Sequence, residues 1–190
     1  PYGLSLYSSL EKHCETFTLW IVCLDDLVYK QLELIGLRNA RLIELSEIED
    51  QRLLSVKEDR TWKEYCWTIT PFVCEAVFRK NESTERITYL DADLFFFNSP
   101  AVFFDEFEEA GKDVLITEHA FDPVYEQSER TGRFCVQYLT FRKTEKALNV
   151  LRWWQDRVIE WCFCRMEDGK FGDQKYLDSF PELFPDAVHI

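Results

Sequence analysis

The sequence predicts an α/β fold in which a sheet is covered by helices on both faces. Apolar segments of strand length alternate along the chain with longer segments whose apolar residues recur at helical spacing. This alternation is typical of sheets that are covered by helices. With 190 residues, of which 46% are hydrophobic and 16% aromatic, the chain can bury one large core. No internal repeat or low-complexity linker divides it, and we therefore expect a single domain over residues 1–190.

The first predicted elements are a helix, a strand and a second helix. The first helix covers residues 2–12. The strand covers residues 18–24, a near-continuous apolar run of the kind that is buried on both faces of a sheet. Asp25 or Asp26 can cap the second helix, because a short acidic side chain accepts hydrogen bonds from the first free N–H groups. Gly36 ends this helix, since glycine readily adopts the left-handed conformation found at helix ends.

A short strand over residues 41–45 and two further helices are predicted next. One helix lies around residues 58–65, and another begins at Pro71 and extends to about Lys80. Proline suits a first helical position, because the N–H group that it lacks would have no partner there. Thr144 caps a later, long helix with one apolar stripe, which we expect to face the core. Further strands are expected over residues 87–90, 113–117 and 136–141.

Two carboxylates follow the strand at residues 87–90. Asp91 and Asp93 interrupt an apolar segment that returns at once to leucine and phenylalanine. Successive side chains of an extended chain point to opposite faces, so residues i and i+2 share a face and their oxygens can converge. Because two close carboxylates repel, a hard cation such as Mn2+ or Mg2+ would remove the repulsion and could bind a substrate phosphate. The alternative is a plain turn after a buried strand, because Asp favours turns.

A second motif lies near the C-terminus, in residues 169–178, where Asp173 and Gln174 open a short helical segment. Together with the Tyr-Leu-Asp-Ala-Asp sequence of residues 89–93, it resembles the GT-A glycosyltransferases, most closely the family 8 type of retaining sugar transferase. In that family an aliphatic strand ends in Asp-x-Asp, and a later Asp-Gln precedes a short helix. The resemblance implies a Rossmann-like, mostly parallel central sheet flanked by helices.

The segment between these motifs departs from the family pattern. Residues 132–141 stand where the family has a Gly-x-Phe/Tyr-Asn-x-Gly strand, but Cys135 replaces the expected Asn and Gln137 replaces the expected Gly. A contact to the donor sugar that this strand would imply is therefore in question. The departures leave open a second hypothesis, in which the protein is a non-catalytic relative that binds a sugar or nucleotide.

The resemblance also implies a reaction and a set of roles. A sugar would move from a nucleotide-diphosphate donor to a glycan, lipid or small-molecule acceptor, with retention of configuration. Asp91 and Asp93 would hold Mn2+ or Mg2+ against the diphosphate, which is the charge that needs stabilisation as it leaves. Asp173 and Gln174 would support the positive charge that develops at the anomeric carbon.

The two ends of the sequence differ from a full family 8 enzyme. In GT-A enzymes a first strand carrying part of the nucleotide pocket precedes the helix with which this chain starts. Family 8 proteins also continue, beyond the last residues here, towards a segment whose His completes the metal site. We therefore expect residues 1–190 to lack both segments. His189 is a candidate for that ligand, although a single His in an apolar strand more often has a structural role.

Composition argues against several other classes of protein. Acidic residues outnumber basic residues 35 to 22, and the net charge is -13, with no basic run that could displace counterions from a polynucleotide. We therefore expect no nucleic-acid partner. No apolar run approaches the length of about 20 residues that spans a bilayer, and the N-terminus does not resemble a signal peptide. We therefore expect no transmembrane segment and a cytoplasmic protein.

A phosphatase of the haloacid dehalogenase type is the other enzymatic alternative. Such enzymes also place Asp-x-Asp after an apolar strand, and one of the two Asp residues is the nucleophile. Their Asp pair usually opens the chain, whereas Asp91 here follows about ninety residues that already build two strands.

Overall fold

A computed structural model describes residues 2–190 and confirms the α/β prediction. The helices are α1 (Tyr2–His13), α2 (Asp26–Ile35), α3 (Gln51–Lys57), α4 (Trp62–Lys80), α5 (Ala101–Ala110), α6 (Ser128–Thr131), α7 (Glu145–Glu160) and α8 (Phe180–Leu183). The strands are β1 (Leu19–Cys23), β2 (Ala40–Glu44), β3 (Arg86–Leu90), β4 (Val114–Glu118), β5 (Phe134–Arg142) and β6 (Val188–His189). Three short 3-10 helices cover Leu45–Glu47, Pro123–Tyr125 and Gln174–Ser179. None of the helices within residues 2–190 combines the length and apolar character that crossing a bilayer requires.

The strands form two sheets rather than the single, mostly parallel sheet that the resemblance implies. β1 and β2 pair in parallel, and the other four strands form a sheet in the order β3-β5-β4-β6. β5 is antiparallel to both of its neighbours, whereas β4 and β6 are parallel. The larger sheet is therefore mixed. Apolar strand patterns do not encode strand direction, so the antiparallel position of β5 could not be read from its residues.

The main core joins the larger sheet to α4 and α7. It contains buried side chains from α4, α7, β4, β5 and the segment that follows Asp173. Leu139 and Phe141 of β5 and Trp154 of α7 are almost completely buried in it. Thr144 caps α7 through its side chain, which accepts from the N–H of Ala147, as predicted.

The prediction of two helices around residues 58–65 and 71–80 is wrong, because one helix, α4, passes through Pro71. Thr61 and Glu64 form a capping box that fixes its start. Inside a helix, proline removes one backbone hydrogen bond. Two side chains add bonds near this proline: the Thr70 hydroxyl donates to the carbonyl of Cys66, and the Gln155 amide donates to that of Pro71.

A cavity of about 520 Å³ lies between the two sheets. Within the described residues, β1 and β3 are end strands, and each has one edge without a partner strand. Both strands line the cavity, together with apolar side chains of α1 and α4 that include Leu6, Leu10, Ile69 and Val73. Residues 19–22 of β1 are only partly buried. The expected burial of this strand on both faces is therefore wrong, because one edge of it borders the cavity.

Candidate functional site

Asp91 and Asp93 lie in a tight turn directly after β3. The N–H of Asp91 still bonds to the carbonyl of Gln137 on β5, at 3.1 Å, and the N–H of Leu94 then bonds to the carbonyl of Asp91, at 3.2 Å. The chain is therefore not extended through residues 91–93, and the turn alternative describes the backbone correctly. The two carboxylates nevertheless interact across this turn, since Asp93 contributes to raising the pKa of Asp91.

Tyr89 is a hydrogen-bond partner of Asp91 that the sequence did not indicate. Its hydroxyl donates to Oδ1 of Asp91 at 2.9 Å. Burial raises the pKa of the half-buried Asp91, and Asp93 adds to this effect, whereas the bond from Tyr89 opposes it. Asp93 itself is exposed. One carboxylate of the pair is thus fixed by the protein, and the other is free to reach a ligand.

Asp173 is buried, with only 4% of its surface exposed, and its Oδ2 has no hydrogen-bond partner within residues 2–190. Burial raises the pKa of this carboxyl to about 7, and the neighbouring Asp91 adds to the shift. Gly172 immediately before it has φ +54°, and a Cβ there would lie 3.1 Å from the ring of Trp67. The indole N–H of Trp154 bonds to the backbone carbonyl of Asp173 at 3.0 Å. Close packing therefore holds this carboxyl in place.

The fold brings Asp173 into the electrostatic neighbourhood of Asp91, although about 80 residues separate them in the chain. Desolvation and the charges of both Asp91 and Asp173 raise the pKa of Tyr89. Desolvation and the charges of Asp91, Asp173 and Asp93 likewise raise the pKa of Cys135. Tyr89 therefore lies close to Asp91 and Asp173, and Cys135 lies close to all three acidic residues that the sequence singled out.

Gln174 holds the start of β5. Its side-chain oxygen accepts from the N–H of Val136 at 3.3 Å, and its amide N–H donates to the carbonyl of Thr131 at 3.0 Å. Both ends of the amide are therefore used inside the protein. Cys135 lies between these two contacts, so Gln174 positions this residue relative to Asp91 and Asp173.

Cys135 and Gln137, the departures from the family pattern, share one face of β5 because they are two residues apart on a strand. Cys135 is buried, whereas Gln137 is the exposed residue in an otherwise buried run. The backbone carbonyl of Gln137 accepts from the N–H of Asp91. The strand that would contact a donor sugar therefore adjoins the carboxylate pair, and it presents a thiol and an amide there.

His189 does not join these residues. β6, which carries it, and β3, which leads into Asp91, are the opposite edge strands of the larger sheet. Three strand spacings of about 4.8 Å separate them by about 14 Å. The His189 ring instead forms a hydrogen bond with Glu106 of α5 at 3.1 Å.

Asp91 and Asp93 would suit only an ion that takes most of its ligands from water or from a substrate, as Mg2+ and Mn2+ can. The part of the chain that the structure describes contains no group of three or more His, Cys, Asp or Glu residues that could hold a metal. Mg2+ is commonly held by only one or two carboxylates, with water and substrate phosphates completing its shell. Asp91 and Asp93 supply two such carboxylates at neighbouring positions.

Two curated proteins of Bacillus subtilis (strain 168) are similar to the chain. It is 31% identical to the uncharacterized protein YfnF over an alignment of 193 positions, which covers 99% of this chain and 64% of YfnF. It is 33% identical to the uncharacterized protein YfnD over 190 residues, which cover 98% of this chain and 60% of YfnD. The chain thus spans less than two thirds of the length of either relative. No family model matches it.

Proposed function

We propose that this chain is the catalytic region of a metal-dependent glycosyltransferase, which moves a sugar from a nucleotide-diphosphate donor to an acceptor. The proposal rests on a difference in hydrogen bonding between the two buried acidic residues in the described part of the chain, Glu64 and Asp173. Both oxygens of Glu64 accept hydrogen bonds, from Thr61 and from the N–H of Cys164. Asp173 has one unpartnered oxygen, Oδ2, and lies near Asp91. Burial raises its pKa, and bonds from Thr70 and nearby backbone N–H groups reverse only part of that rise. An acid left unsatisfied beside a second acid is typical of a site whose partner is a ligand.

Each acidic residue has a distinct task in this reaction. A Mn2+ or Mg2+ ion held by Asp91 and Asp93 would supply Lewis-acid stabilisation to the departing diphosphate. Tyr89 fixes the orientation of Asp91. Asp173 would stabilise the positive charge at the anomeric carbon, where its burial strengthens the interaction. The bond from the anomeric carbon to the diphosphate would break, the acceptor oxygen would bond to that carbon, and the acceptor's hydroxyl proton would pass to the departing diphosphate. The sequence offers no dedicated base for the acceptor, which favours retention.

A screen of donors on the full-length protein tests this function. We expect a nucleotide-diphosphate sugar to raise the melting temperature when Mn2+ is present, because a ligand that binds only the folded state stabilises it. The same donor should release its nucleotide diphosphate slowly in the presence of Mn2+. Failure of every donor to shift the melting temperature would contradict the proposal. Binding without release would favour a non-catalytic relative, and release of inorganic phosphate from a simple phosphate ester would favour the phosphatase.

We also propose that one further strand fills the cavity between β1 and β3. It would join the two sheets into one continuous GT-A sheet. The cavity has an unpaired strand edge on two sides and is lined mainly by apolar residues, which is what a buried strand requires. Gly3 of α1 also lines it, so chain that joins α1 from upstream would lie close to it. More than a third of each relative lies outside the match. Residues outside positions 1–190 are therefore our proposed source of this strand.

Hydrogen exchange of backbone amides checks the added strand. We expect amides of β1 and β3 to exchange more slowly in the full-length protein than in residues 1–190 alone, because new backbone bonds would protect them. Amides of β5 are the control, since that strand already has partners on both edges. Equal exchange of β1 and β3 in the two proteins would show that no strand enters the cavity.

A further inference from the structure

Five cationic side chains from separate parts of the sequence surround a group of aromatic rings close to Asp173. We call this group the ring-cation surface. Its cations are Arg60 and Lys63 around the start of α4, Arg130 of α6, and Arg165 and Lys170 of the loop after α7. Its rings are Trp67, Trp161, Phe163 and Phe171. The sequence contains no run of basic residues that would indicate this surface, because the fold assembles the surface from three segments.

Each cation lies over a ring. The ammonium of Lys63 lies 4.6 Å from the centre of a Trp67 ring, and the guanidinium of Arg130 lies 5.4 Å from that of Phe171. The other three contacts are Arg60 over Phe163 at 3.9 Å, Arg165 over Phe163 at 4.3 Å, and Lys170 over Trp161 at 5.5 Å. Contacts at these distances hold a cation in place by its attraction to the ring face.

The contacts form one continuous surface that reaches the candidate site. The rings of Trp67 and Phe171 are 6.1 Å apart, which joins α4 to the loop after α7. Lys63 also approaches the sulfur of Cys164 at 3.6 Å, which joins it to the Phe163 side of that loop. Trp67 packs against Gly172, the residue next to Asp173. A ligand on this surface would therefore lie beside the buried carboxyl.

Most of these cations have no ion-pair partner among residues 2–190, although the chain as a whole has a net charge of -13. Among residues 2–190, Arg165 pairs with Glu167 at 2.8 Å, but no ion pair involves the other four cations. Glu64 lies near Arg60, and Glu167 lies near Lys170 as well as Arg165, so two carboxylates offset part of the charge of the five cations. A ring orients a cation without neutralising it, whereas an ion pair would neutralise it. Five cations against these two carboxylates leave the surface positive, in a protein whose acidic residues outnumber its basic ones 35 to 22.

We infer that the ring-cation surface binds the acceptor, and that this acceptor is a saccharide carrying an anionic group, either a carboxylate or a phosphate. The inference rests on the proposed function, in which Asp91 and Asp93 take the donor diphosphate and the second substrate must lie on another side of Asp173. The forked guanidinium groups and the ammonium groups suit carboxylate and phosphate oxygens. The carbohydrate portion supplies the hydroxyl that would reach the anomeric carbon beside Asp173.

An NMR titration of the full-length protein, without nucleotide or Mn2+, tests the surface. The probes are D-glucuronate, D-glucose 6-phosphate and D-glucose, and the signals followed are the indole N–H groups of Trp67 and Trp161. We expect saturable shifts with one or both anionic sugars and none with glucose; comparison of the two tells which anion is recognised. The double variant Lys63→Ala, Arg130→Ala should weaken binding at least about tenfold, because each cation offers a charge-assisted bond.

The control is the double variant Lys30→Ala, Lys146→Ala, which removes the same charge from exposed positions on α2 and α7. It should bind the anionic sugars as the wild type does. Equal weakening in both double variants, or equal binding of glucose, would overturn the inference. If acidic sugars fail to bind while nucleotide sugars still bind with Mn2+, the inference is wrong and the proposed function stands. If acidic sugars bind but no nucleotide sugar does, the surface stands as a binding site and the transferase proposal falls.

Discussion

Replacing Asp173 with Asn should stabilise the protein at pH 8 by about 2–4 kcal/mol and change its stability little near pH 4. Burial raises the pKa of Asp173 from its usual value of 3.8 to about 7, and Asp91 adds to the shift. The unfolded chain therefore ionises this group more easily than the folded protein does. A shift of this size costs the folded state up to about 4 kcal/mol above pH 7. The amide of Asn avoids that cost but must still find a buried partner, which reduces the gain.

The direction of the pH dependence distinguishes the titration of Asp173 from other effects of the substitution on stability. Stability from protonated Asp173 is complete below about pH 3.8 and is lost as the pH rises to about 7, after which the group adds no further change. Urea denaturation of wild type and variant at pH 4, 6 and 8 gives the difference in unfolding free energy at each pH. That difference should grow from pH 4 to pH 8. A difference that stays constant would mean that Asp173 titrates normally in the folded protein.

Asp168→Asn is the matched control, because it makes the same chemical change at an exposed turn residue with φ 50°, a conformation that Asn tolerates. We expect its free energy of unfolding to stay within about 0.5 kcal/mol of the wild type, as is usual for an exposed surface substitution. The Asp173→Asn variant should also lose sugar transfer, since it removes the charge proposed to face the anomeric carbon. A variant that is more stable but inactive would show that the charge of Asp173 destabilises the folded protein and is needed for activity.

Local chemistry made most of the elements predictable. Asp25 caps α2 through a 2.8 Å bond to the N–H of Val28, and Gly36 ends that helix at φ +66°, both as the residue types indicate. Pro71 misled because α4 packs into the core on both sides of it, and this burial outweighs the one backbone bond that proline removes. Gln155, 84 residues further along the chain, donates to its carbonyl, and nothing in the local pattern announces that bond.

The sequence singled out the residues of the candidate site, but it did not indicate their electrostatics. Spacing indicated that Asp91 and Asp93 would interact, and they do, although through a turn and not through the predicted extended strand. The link from Asp91 to Asp173 came from the family resemblance, because contacts between distant segments depend on the whole fold. The burial of Asp173 and the assembly of the ring-cation surface arise from packing and could not be read from either motif.

Replacing Asp91 or Asp93 with Asn should weaken Mn2+-dependent binding of the nucleotide-sugar donor at least about 100-fold and leave the fold intact. Each variant removes one of two carboxylates available to the ion, and outer-shell changes alone commonly cost 10–100-fold. The melting temperature without ligand should stay the same or rise, because Asp93 and burial both disfavour the charged form of Asp91. Isothermal titration with the donor, in the presence and absence of Mn2+, measures the loss.

Asp105→Asn is the control for this experiment, since it removes one exposed carboxylate from α5 and leaves the turn after β3 unchanged. It should bind donor and Mn2+ as the wild type does. Asp91→Asn should be the more damaging of the two site variants for orientation, because the Tyr89 hydroxyl that fixes Asp91 Oδ1 at 2.9 Å would lose its charged acceptor. Donor binding that needs no Mn2+, or that survives both substitutions, would show that the acidic turn after β3 is not where the diphosphate is held.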